Sequence, residues 1–128
     1  MRLHTAWLAI VFVACVGGCA APPAAPGLMD VTERPAESAL LAGVRAYDEA
    51  QYPQAEQLLR QALKIGLVSP RDQAAAHKYL AFIDCTSARI DACEAEFRAA
   101  RKADPKFALT KAESGHPLWG PVYQRVQQ

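Results

Sequence analysis

The chain has 128 residues, 14 of them Lys or Arg and 13 Asp or Glu, for a formal net charge of +1 at pH 7. This length gives one small domain with some chain to spare. The near balance leaves no basic stripe for nucleic acid and no acidic tail of the kind that stays disordered.

The first residues read as a targeting segment. Arg2 supplies a positive start, Ala6 to Val16 form an apolar run, and the small Gly17 and Gly18 precede Cys19. The run is too short for an ordinary spanning helix, and Pro22 and Pro23 stop it from growing into one. Val16-Gly17-Gly18-Cys19 resembles the lipobox of bacterial lipoproteins, in which the Cys thiol forms a thioether and the Cys becomes the first mature residue. The resemblance implies a signal peptide over residues 1–18 and a covalent diacylglycerol and N-acyl lipid on Cys19. No other cofactor is expected. The simpler alternative is secretory cleavage near Ala20-Ala21, with Cys19 discarded. An Asp after the lipidated Cys often retains such proteins in the inner membrane. Here Ala20 follows, so the expected location is the periplasmic face of the outer membrane. An anchor of three acyl chains holds far better than a single chain.

Loss of residues 1–18 removes Arg2, leaving 13 basic and 13 acidic residues in the mature chain. After Cys19, the stretch AAPPAAPGLMDVTERP at 20–35 holds four Pro and one Gly and shows no periodicity. Residues 19–35 therefore read as a lipidated Cys followed by a flexible linker.

Residues 36–105 read as helical, rich in alanine with Pro and Gly confined to edges. The first helix is expected from about Ala36 to Ala50. The second begins near Pro53, suited to a first helical position, and ends near Gly66. The third takes Ser69 as N-cap, Pro70 at its first position and Asp72 in its first turn. The fourth takes Asp91 as N-cap with Glu94 completing a capping box, and stops before Pro105.

The helices repeat in pairs. Gly43, Tyr52, Ala55, Leu59 and Ala62 match Ala81, Ile90, Cys93, Phe97 and Ala100 at one constant offset. This order of small, aromatic or aliphatic, small, large and Ala resembles the tetratricopeptide repeat. Antiparallel helices approach closely only where small residues face each other, and Leu59 and Phe97 fill the space beside them. The fold class expected is all-α: two tetratricopeptide-like helix pairs over 36–105 and a capping segment over 106–128. Two such units rarely bury their own faces. Two features can complete the core, a cysteine bridge and the C-terminal segment.

After export two mature cysteines remain beside Cys19, namely Cys85 and Cys93. In an oxidising periplasm such a pair reads first as a disulfide. A reactive thiol at a helix start is one alternative. A zinc site with His77 and His116 is another, although the spacing departs from zinc-ligand pairs.

In the C-terminal segment Thr110 and Glu113 fit a capping box over one short turn, which Gly115 can end. His116 precedes Pro117 and is pushed to extended backbone. Gly120-Pro121 begins a last helix carrying Val122, Tyr123 and Val126. Phe107, Leu118, Trp119, Val122 and Tyr123 are expected to form a lid over the second pair.

The tail Ala112-Glu113-Ser114-Gly115-His116-Pro117-Leu118-Trp119-Gly120-Pro121-Val122, the hairpin between Cys85 and Cys93, Phe97, Asp104-Pro105 and Phe107 together resemble the TssQ family. These are lipoproteins associated with type VI secretion. The resemblance covers most of the mature chain and rests chiefly on the tail. It implies an accessory or scaffold protein at the periplasmic side of the secretion envelope complex, and it transfers no catalytic residue.

The expected partners are the membrane, through the lipid, and proteins of a secretion or envelope complex. Tyr47, His77, Tyr79, His116 and Trp119 are the candidate contact residues, with Arg45 and Lys78 beside them. No nucleic acid, small-molecule substrate or metal is expected. A general outer-membrane biogenesis or pilotin-like factor is the alternative, and wall binding has no motif behind it. No nucleophile elbow, H-E-x-x-H or phosphate loop points to an enzyme. His116 is the single isolated candidate for catalysis.

Overall fold

A computed structural model describes residues 34–128, all of whose regular structure is helical. The signal segment, Cys19 and all of the linker except Arg34 and Pro35 lie outside the described residues. The helices are α1 (Pro35–Asp48), α2 (Tyr52–Ile65), α3 (Pro70–Thr86), α4 (Ile90–Ala103), α5 (Lys111–Ser114) and α6 (Gly120–Gln127). None of them is long and apolar enough to cross a membrane.

α1 pairs with α2 and α3 with α4, as two antiparallel hairpins. The second repeats the first with high fidelity. α2 and α4 each run 14 residues and begin 38 positions apart, while α1 and α3 end 38 positions apart. Both turns place an Ala in the left-handed region, Ala50 at φ 60° and Ala88 at φ 59°. Both close with the same backbone bond, Gln51 N–H to Ala46 O and Arg89 N–H to Asp84 O, each 2.8 Å. The small residues sit where the helices touch. A Cβ on Gly43 would come within 2.9 Å of Leu59 Cγ. Its counterpart Ala81 is fully buried, as are Ala55, Leu59, Cys93 and Phe97.

The helix ends follow local chemistry. Ser69 caps α3 by accepting from Asp72 N–H, as expected. α1 ends at Asp48 rather than Ala50, because Ala50 has already left helical geometry. The capping box expected at Asp91 and Glu94 is absent. Arg89 is the N-cap residue of α4 and makes no side-chain cap bond. Its own N–H is held by Asp84 O, so the chain turns into the helix at Ile90. Asp91 then lies in the first turn, where it still suits the helix dipole. Glu94 reaches Arg98 one turn on instead.

The capping segment closes the array. Thr110 and Glu113 form the expected capping box on α5. α6 lays Val122, Tyr123 and Val126 against α4, and the Tyr123 hydroxyl accepts from Leu109 N–H at 3.1 Å. Arg101 of α4 donates to the Val126 carbonyl. Leu118 departs from the expected lid, being 51% exposed. The turn over 117–119 sends Trp119 inward, which leaves its neighbour facing out. Phe107 is half-buried at the lid's edge.

Candidate functional site

The inner helices α1 and α3 line up an aromatic strip. Tyr47 stands between Tyr52 and Tyr79, with ring centroids 5.5 and 5.0 Å away. Tyr79 meets Phe82 edge-on at 6.0 Å. Phe82 stacks on Trp119 at 4.3 Å, and His116 stacks on the far face of Trp119 with the two rings nearly parallel. The Trp119 indole N–H donates to the Glu113 carbonyl at 2.8 Å. His116 Nδ1 accepts from Leu118 N–H, so a neutral His116 ring carries its proton on Nε2. Offset and edge contacts between aromatic rings are worth about 0.5–1.5 kcal/mol each beyond burial.

Lys78 lies along the same strip. Its Nζ sits 4.8 Å from the Tyr79 ring centroid and bonds Glu113 Oε1 at 2.7 Å. Burial alone would raise the Glu113 carboxyl. The Lys78 bond and the Thr110 N–H outweigh it and hold the group below its ordinary range. Tyr47 moves the other way. Burial first, then the neighbouring Tyr52, Tyr79, Asp48 and Glu113, push its hydroxyl up to about 12.

Four of the five expected contact residues, Tyr47, Tyr79, His116 and Trp119, thus share one strip. They differ in what they offer. Trp119 is 9% exposed and belongs to the core, while Tyr47 and Tyr79 are half-buried and Tyr52 is 41% exposed. Arg45 is exposed on α1.

His77 lies elsewhere. Its Nδ1 is 2.6 Å from Glu96 Oε2, at one end of a charged seam across three helices. Glu96 contacts Arg60, Arg60 bonds Glu56, and Glu56 bonds Arg89. Arg89 reaches the buried Asp84. Burial would raise the Glu56 carboxyl, but hydrogen bonds from Arg60 and Arg89 hold it below the ordinary range. The Arg89 guanidinium is pushed up by its bond to Asp84 and then by Glu56. Asp84 Oδ2 has no partner among the described residues. This seam was not among the sequence-level candidates. The Glu56–Arg60 spacing of four and a lone Asp inside an apolar helix run were its visible signals.

Cys85 and Cys93 are joined, with their Cα atoms 5.2 Å apart. The thiols are therefore tied to each other, while His77 and His116 sit in separate settings. Among the described residues no group of three or more His, Cys, Asp or Glu is arranged to hold a metal ion.

Compared with known proteins, the chain matches no family, no curated protein and no solved structure.

Proposed function

We propose that this protein is a non-enzymatic lipoprotein, anchored through Cys19 to the periplasmic face of the outer membrane, that acts as a scaffold for the type VI secretion envelope complex. In this reading the two hairpins are tetratricopeptide-like units, and the strip on their inner helices receives a segment of a protein partner. The observation that carries the reading is the half-open aromatic row Tyr52–Tyr47–Tyr79 with Lys78 beside it. Large rigid rings with a polar tip are the groups that anchor protein interfaces. The tail that resembles the TssQ family supplies the other end of the row, where Trp119 and His116 close it.

The test is capture of the lipid-bearing protein from cross-linked cells, read by mass spectrometry. Type VI envelope components are expected, and their recovery should drop several-fold for Tyr52→Ala. That ring is partly exposed, so the fold should survive its loss. Recovery of only secretin or barrel-assembly proteins would move the protein to the biogenesis reading.

A further inference from the structure

The two ends of the helical array differ in charge, and the most exposed large apolar side chain, Val68, stands at one of them. The alternation of antiparallel helices puts the start of α1, the α2–α3 loop and the end of α4 at one end. The turns at 49–51 and 87–89 lie at the other. The first end is where the chain arrives from Cys19. There Arg34, Pro35 and Glu37 line an open cavity of about 500 Å³ with Ile65, Gly66 and Val68. Val68 is 84% exposed and Ile65 46%, the only large aliphatics presented at this end among the described residues.

Cations surround them. Arg34 lines the cavity, Lys64 precedes Ile65 in the chain, and Arg71 and Lys106 line the neighbouring cleft between α3 and the C-terminal segment together with Asp104 and Glu113. None of these four pairs with a carboxylate among the described residues. Lys64 suits the C-terminal turn of α2, and helix stability accounts for it. Arg34 and Arg71 are different. They stand at the N-termini of α1 and α3, where the helix dipole disfavours a cation. Helix stability therefore does not explain them. The opposite end carries Asp48, Glu49 and Asp91 against Arg45 and Arg89, whereas at the first end Arg34, Lys64, Arg71, Arg101, Lys102 and Lys106 outnumber Glu37, Asp72 and Asp104.

We infer that this end is a lipid-facing surface: Ile65 and Val68 enter the headgroup region of an anionic phospholipid layer while Arg34, Lys64, Arg71 and Lys106 meet its phosphates. The inference rests on the anchor at Cys19 proposed above. Arg34 lies fifteen positions after Cys19, a covalent reach of at most about 50 Å. A contact too weak to hold a free domain becomes effective when a tether keeps it so close. Docking by this end would stand the array upright, with the aromatic strip running away from the bilayer and open to a partner.

The experiment uses the full chain made in cells, carrying Val68→Cys, with the Cys85–Cys93 bridge intact. The mass of the N-terminal peptide is measured first. The protein is then placed in phosphatidylcholine vesicles with or without phosphatidylglycerol. The reaction rate of the new thiol with a bulky, uncharged, water-soluble maleimide is followed. Ser87→Cys, at the opposite end, is the reference. Phosphatidylglycerol should slow the thiol at position 68 several-fold and leave position 87 unchanged. Adding Arg71→Glu and Lys106→Glu should restore the rate. Equal rates at position 68 in both vesicle types overturn the inference. So does slowing without vesicles, which assigns the patch to a second copy if it grows with concentration and to the linker if it does not. An N-terminal peptide without lipid defeats the anchor reading alone. In that case the chain carrying Cys19→Ser and an N-terminal hexahistidine tag is held on vesicles bearing a nickel-chelating lipid, and docking is judged by the same rates.

Discussion

The two hairpins share a backbone plan and differ in what fills it. Where the first has Ala46, Tyr47, Gln51 and Ala55, the second has Asp84, Cys85, Arg89 and Cys93 at the equivalent places. The first turn is held by backbone bonds around small residues. The second adds a disulfide and an ion pair from the half-exposed Arg89 to the buried Asp84. Coverage differs too. The second hairpin lies under Leu109, Trp119, Val122, Tyr123 and Val126, whereas the first leaves Leu41 57% exposed. Shape alone therefore does not distribute stability in a repeated fold. Cross-links and lids concentrate it where the array would otherwise end, and the less covered hairpin is left as the softer unit.

The strongest way to break that contrast is to remove the lid's anchor. Trp119→Ala deletes a ring held between Phe82 and His116. Loss of a buried aromatic costs about 3–5 kcal/mol, and urea denaturation should show a drop of that order. Amide exchange should quicken in α4 and α6 more than in α1 and α2. Reduction of the Cys85–Cys93 bridge comes next. Closing a loop this short contributes about 2–3 kcal/mol in the chain-entropy picture. The loss should appear in the second hairpin first, and non-reducing peptide mapping should recover the two cysteines in one linked pair. Two free thiols would remove the distinction between the hairpins.

Two glycines sharpen it. A Cβ at Gly120 would drive into the Ser114 carbonyl, a backbone group that cannot step aside. Gly120→Ala should cost about 1–3 kcal/mol, the range for overpacking. At Gly43 the obstacle is mainly the Leu59 side chain, with its Cγ 2.9 Å away. Alanine there also gains about 1 kcal/mol of helix propensity over glycine, which offsets part of the clash. Gly43→Ala should thus be the milder of the two by thermal melting, and a reversed order would mean that the lid yields more readily than the first hairpin.

Much of this was legible in the residues, for definable reasons. The offset that matches Gly43 to Ala81 and Leu59 to Phe97 follows from close packing, which tolerates few residue types at a helix contact. Ser69, Pro70 and Thr110–Glu113 marked their helix ends because capping is local chemistry. Where distant groups decide, local reading failed. Asp91 looked like an N-cap, yet the fourth helix begins earlier because Asp84 O holds the Arg89 N–H. Leu118 looked like part of the lid, and the turn that buries Trp119 points it outward. His77 and Tyr79 are both candidates as residues of the first helix of the second pair, but two positions along a helix face nearly opposite ways, so His77 joins the charged seam with Glu96. The seam joins residues up to 36 positions apart, so the Glu56–Arg60 spacing and the lone Asp84 show single links of it and not the whole.

The smallest effects are read by pH. At the acid side two carboxyls are held low, Glu56 of α2 and Glu113 of the tail, and the one that ties down the lid is Glu113. Glu113 is held below its ordinary value chiefly by Lys78 and Thr110 against the pull of burial. Its contribution is present above its unfolded value and lost as pH falls through the folded one. Glu113→Gln should therefore flatten the acid limb of stability and loosen the lid. At the alkaline side the group belongs to the first hairpin. Tyr47 is pushed up to about 12 from 10.0, with burial the main cause. The folded state keeps the phenol proton longer than the unfolded chain. The contribution is complete below pH 10 and fades as pH climbs toward 12. Tyr47→Phe keeps the ring in its place between Tyr52 and Tyr79 and removes the titration. Its alkaline melting curve should fall less steeply than that of the parent chain, while the two agree near neutral pH. Curves that stay parallel through the alkaline range would show that the Tyr47 hydroxyl is open to water in the folded protein, and the inner strip would then be more accessible to a partner than its packing indicates.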